Sequence, residues 1–144
     1  MRRDFPLGVP VLCLWAALSI PAPAAASPKP CADPGTEQRV GGLRVVLVGG
    51  SPTPAATGPN LWTVRIEGRN GKPLAGAAVA LRPFMEAHGH GTVPDHFQGE
   101  EEAPGRYRLG PFDLFMPGDW RMEIRVAPRR GRPAAAVFHA CIQE

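Results

Sequence analysis

The chain has 144 residues, 18 prolines, 17 glycines, 20% charged residues and a formal net charge of +3. That length suits one ordinary domain, and so mild a charge gives no electrostatic footprint for nucleic acid. Hydrophobic residues make up 44%, so the chain can bury a core.

The chain opens with the three-part layout of a secretory signal peptide over residues 1–26. Arg2 and Arg3 are cationic, 7–20 is apolar apart from Ser19, and Ala24 and Ala26 stand where a signal peptidase needs small residues. Cleavage is expected after Ala26, and an uncleaved membrane anchor is the alternative. The arginine pair leaves the route open between general secretion and twin-arginine export. No later apolar stretch is long enough to cross a membrane, so the mature chain is expected to be periplasmic or secreted, without a transmembrane segment.

Of the three cysteines, Cys13 falls in the signal, which leaves Cys31 and Cys141. An even pair in an oxidising compartment predicts a Cys31–Cys141 disulfide. It closes a loop of about 110 residues, worth roughly 4–5 kcal/mol on chain-entropy grounds. The rival, that the two sulfurs are metal ligands or redox thiols, lacks a CxxC motif.

An N-terminal extension is expected over 27–40 and one domain over 41–144. "LRVVLV" (43–48) is β-branched, and "SPTPAATGP" (51–59) reads as an exposed connection. "LWTVRIE" (61–67) alternates, with Trp62, Val64 and Ile66 on one face. Asn70-Gly71 marks a tight turn. "GAAVALR" (76–82) alternates through Val79 and Leu81, and "GRYRLGPFDL" (105–114) places Tyr107 and Leu109 together. The run Glu100 to Glu102 reads as a solvated loop. "DWRMEIRVA" (119–127) turns Trp120, Met122, Ile124 and Val126 inward, and "AAAVFHACI" (134–142) closes the domain. No stretch shows a 3.6-residue period. The expectation is an all-β, immunoglobulin-like antiparallel β-sandwich of about seven strands.

"MEAHGHGTVPDH" (85–96) holds three of the four histidines and follows the 76–82 strand. Met116, in "FMPGDW", lies in the turn before the 119–127 strand. If both turns meet at one end of the sandwich, Met85, His88, His90 and Met116 come together.

These blocks resemble a known family. "GPNLWTVRIEGRNGKPLAGAAVALRPFMEAHGHGTVP" and "GRYRLGPFDLFMPGDWRMEIRV" are similar to the YtkA-like and FixH-like exported bacterial domains. The likeness lies in a G-x-N strand, a G-K-P-x-x-G-A-x-V block, a Met-x-x-His-Gly-His-Gly segment and a Met-Pro-Gly-x-Trp turn, spanning about residues 58–127. Glu86 stands where a proline often follows the first methionine. The resemblance implies a β-sandwich. It also implies, from FixH-like proteins, a link to the assembly of copper-containing oxidases.

The donors point the same way. Thioethers are soft and select Cu(I), while imidazole accepts either copper state once deprotonated. Copper is therefore the expected cofactor and a copper-containing oxidase or other copper-handling protein the expected partner. The alternative is an interaction domain of the cell envelope whose histidine loop is purely structural. His96 and His139 are expected to play no part. No nucleophile, base and orienting group can be named together, so no catalysis is expected.

Overall fold

The computed structural model describes residues 35–143; the expected signal peptide and Cys31 lie outside them. Nine strands follow in chain order: β1 (Glu37–Val40), β2 (Leu43–Ser51), β3 (Gly58–Glu67), β4 (Ala78–Met85), β5 (His90–Gly91), β6 (Phe97–Ala103), β7 (Arg106–Leu114), β8 (Gly118–Ala127) and β9 (Ala134–Ile142). Among the described residues there is no helix. Every pairing is antiparallel, and neighbours across the sheet run β1, β2, β3, β7, β6, β4, β8, β9, with β5 beside β4. The sheet curls until β1 lies against β9, which nearly closes the sandwich into a barrel.

The all-β class holds, and the expected seven strands become nine. Alternation found the long strands in the right phase. Trp62, Val64 and Ile66 of β3 and Trp120, Met122, Ile124 and Val126 of β8 all point into the core. What alternation missed were strands with little to bury. β1 is three polar residues and a valine, and its presence starts the sheet ahead of the expected boundary at Gly41.

β6 corrects the solvated-loop reading of Glu100 to Glu102. Only Phe97 and Gly99 of this strand are even half-buried, so no apolar period betrays it. Its carboxylates instead serve the neighbouring backbone and β7. Glu101 accepts from Gly105 N at 3.0 Å and Gly76 N at 2.9 Å. Glu100 pairs with Arg108, and Glu102 reaches Arg108 at 3.5 Å and Arg106 at 3.8 Å.

At the turn after β3 only Gly71 takes a positive φ, +71°, while Asn70 accepts the amide of Lys72 at 3.1 Å. Asn60 is buried and fastens the 51–59 connection, donating to Ala56 O and Gly58 O, each at 2.7 Å. The Tyr107 hydroxyl donates to Leu74 O at 2.7 Å and accepts from Ala77 N at 3.0 Å, which pins the segment leading into β4.

β4 runs three residues further than alternation over 76–82 implied, through Pro83 to Met85. Proline lacks the donor a ladder needs, so it is tolerated where one side of a strand goes unpaired. Pro83 sits in such a gap: β6 pairs β4 only at Ala80 and Leu81, and β5 takes over at Phe84. This extension carries Met85 into the sheet.

Candidate metal centre

Met85 closes β4, His90 opens β5, and the two are cross-strand partners. Their side chains therefore leave the same face of the hairpin. The turn between them is tied by its own backbone: the amides of His88 and Gly89 both donate to Met85 O, at 3.2 and 2.9 Å. Gly89 adopts φ +68°, a conformation that favours glycine over any residue with a Cβ.

The alternation of β4 turns Met85 inward, and it is 1% exposed. Gly118, at the start of β8, makes room for it. A Cβ at Gly118 would stand 2.8 Å from Met85 Cε, and its φ is +126°. Any other residue there would be strained and would push the methionine aside.

His90 is half-buried and flanked by rings. It stacks on Phe115 with centroids 5.4 Å apart at 21°, and meets Trp120 edge-on at 6.2 Å and 68°. Phe115 and Trp120 meet each other at 5.4 Å and 81°. Nδ1 of His90 is buried and has no hydrogen-bond partner among the described residues. The exposed His88 ring lies 5.7 Å from that of His90. Met116 is half-buried against the core, and its carbonyl accepts from Trp120 Nε1 at 3.0 Å.

Three of the four residues singled out from sequence are in mutual contact, and the backbone of the fourth is tied to a neighbouring ring. Pairing brings Met85 to His90, ring contact brings His88, and the Trp120 indole, which meets His90, holds the Met116 backbone through its carbonyl. Three residues of this end were missed as parts of the site: Phe115, Gly118 and Trp120. Their signal was present in "FMPGDW", where an aromatic precedes Met116 and a glycine follows it.

The other histidines are placed differently. His96 meets Asp95 at 2.6 Å, and His139 meets Asp119 at 3.1 and 3.2 Å. Around the hairpin the charges are mutually engaged: Glu86 faces Arg121 at 3.5 Å, and Arg121 also holds Glu123 at 2.8 Å. The Arg125 and Arg121 guanidinium groups keep the Glu123 carboxyl below the usual range.

A buried polar atom without a partner costs about 1–3 kcal/mol, so Nδ1 of His90 is the atom that fits a ligand. Among the described residues no three His, Cys, Asp or Glu side chains are disposed to hold a metal. A metal held at this end would have to draw on thioether sulfur, a donor that suits soft ions.

No curated protein and no solved structure matches the chain. The family model described as YtkA-like matches residues 37–125, from β1 into β8 and across both methionine segments. The chain belongs to the YtkA-like family.

Proposed function

We propose that this YtkA-like domain binds copper at the Met85, His88, His90 and Met116 end and acts as a carrier or copper-site assembly factor, without catalysis. The observation that carries the reading is the unpartnered, buried Nδ1 of His90, directly across the hairpin from Met85. A structural loop has no use for such an atom, because a phenyl ring would fill the same slot without the desolvation penalty. In this reading copper is the cargo, and the acceptor is a copper-containing oxidase or another copper-handling protein, by analogy with FixH-like proteins.

The reading includes export and a periplasmic or secreted location, supported by the layout of residues 1–26. It also includes the Cys31–Cys141 disulfide. Its support is the even pair of cysteines left after the expected signal, in a compartment that favours oxidation.

Copper titration of the purified protein, with metal and protein quantified in the same fractions, tests the function. One copper per chain is expected, lost in the paired His88→Ala, His90→Ala variant. If that variant binds copper like the parent but melts many degrees lower, the loop is structural and the domain is an interaction module.

A further inference from the structure

We infer that this site selects a soft monovalent cation, Cu(I) or its analogue Ag(I), against Cu(II) and Zn(II). Met85, His90 Nδ1 and Met116 form the resident donor set, and Phe115 and Trp120 form its wall. The inference rests on the copper reading above and adds the oxidation state and the division of labour among the donors.

Divalent first-row ions favour nitrogen and oxygen donors, and Cu(II) prefers a tetragonal arrangement completed by water or carboxylate. This end of the barrel offers little of that. The carboxylate on the turn, Glu86, is engaged with Arg121 at 3.5 Å. No three His, Cys, Asp or Glu side chains converge among the described residues. The inward-facing donor beside His90 is a thioether, and it is almost wholly withdrawn from water.

The rings add a second filter. His90 is covered on one face by Phe115 and met on the side by Trp120. Aromatic faces attract cations electrostatically, but they cannot replace the hydration shell of a doubly charged ion. A singly charged ion with few ligands loses less on entering, so the wall discriminates by charge as the sulfurs do by softness.

His88 has a different place. It is exposed, with its ring 5.7 Å from that of the less exposed His90, on the solvent side of the pair. It is the entry donor, the first group an arriving ion meets and the last it leaves, rather than a member of the enclosed set.

The test uses the purified, folded protein. Anaerobic titrations with Ag(I), and with Cu(I) against a chromogenic Cu(I) chelator, are run beside Cu(II) and Zn(II) titrations with a competing chelator, all followed by tryptophan fluorescence. One Ag(I) or Cu(I) per chain is expected, with quenching of Trp120 and affinity above that for Cu(II) or Zn(II) by far more than about tenfold. Met85→Leu and His90→Phe should each lose this binding while near-ultraviolet circular dichroism shows a native fold. Trp120→Phe should keep much of the affinity and lose most of the quenching. His88→Ala should leave Cu(I) affinity within about threefold and slow the transfer of Cu(I) to the chelator. Cu(II) or Zn(II) bound as tightly as Ag(I), through the same residues, would overturn the selectivity and leave the metal reading standing. Binding of none of the four ions would overturn the metal reading itself.

Discussion

Two tryptophans occupy equivalent inward positions on alternating strands, yet their surroundings differ. Trp62 meets Phe112 edge-on at 5.9 Å and 87°, and Phe138 at 6.4 Å and 89°, and both partner rings are buried. Trp120 is equally buried, but its companions are His90, with a polar atom left unpartnered, and Phe115, which is 51% exposed. The first cluster pairs the indole with two buried phenyl rings and leaves no buried polar ring atom among them without a partner. The second keeps a ring at the surface and an imidazole nitrogen in the dark. Packing alone explains the first and not the second.

The largest effect that can break this contrast comes from removing each indole. Trp62→Ala and Trp120→Ala should each destabilise the fold by about 3–5 kcal/mol in denaturant titrations. Only Trp120→Ala should also weaken copper binding in the molecules that remain folded. Equal loss of copper in both would mean that the site depends on general stability rather than on its own wall.

His90→Phe sharpens the contrast from the other side. A phenyl ring keeps the stack and removes the unpartnered nitrogen, so the variant should gain about 1 kcal/mol in thermal or chemical unfolding while losing copper. A variant markedly less stable than the parent would show that the imidazole has a structural partner after all.

The acid limb of stability lies in carboxylates outside both clusters. Glu101 is held below the usual carboxylate range by the Gly105 and Gly76 amides, and Glu123 by Arg125 and Arg121. Arg44 does the same for Glu37 and Glu67. A depressed carboxyl contributes stability above its unfolded value, and that contribution is lost as pH falls through the lower folded value. Melting temperatures should therefore hold down to about pH 4 and fall below it. Glu101→Gln should flatten that fall, and an unchanged acid limb in this variant would remove Glu101 from the account.

The smallest effect belongs to the histidine control. His139→Ala breaks only a partly exposed contact with Asp119, so stability should move by less than about 1 kcal/mol and copper binding not at all.

Much of this was legible in residue order. The faces of β3 and β8 could be read because each buries one side of an alternating strand, and Met85, His88, His90 and Met116 could be named from donor chemistry. The rest depended on pairing between distant segments. β6 carries almost nothing into the core, so its glutamates looked like a loop. Pro83 disguised the end of β4, because proline is compatible with a strand only when the neighbour on one side is missing. β5 is two residues long and exists only opposite Phe84 and Met85. The isolation of His90 Nδ1 required knowing that Phe115, 25 positions along the chain, would cover the ring.

The curl that brings β1 against β9 also bears on how the molecule meets copies of itself. β9, "AAAVFHACI", is the kind of uncharged, strand-forming segment on which chains template one another when its rim is open. Here its neighbour on that side is the shortest of the flanking strands, which bears Glu37 bonded to Arg39 at 3.1 Å and to Arg44 at 2.6 Å. A four-residue rim studded with charge gives an approaching chain little to zip onto, so where β1 lies against β9 the segment best suited to nucleating aggregates is partly covered by one of the least suited.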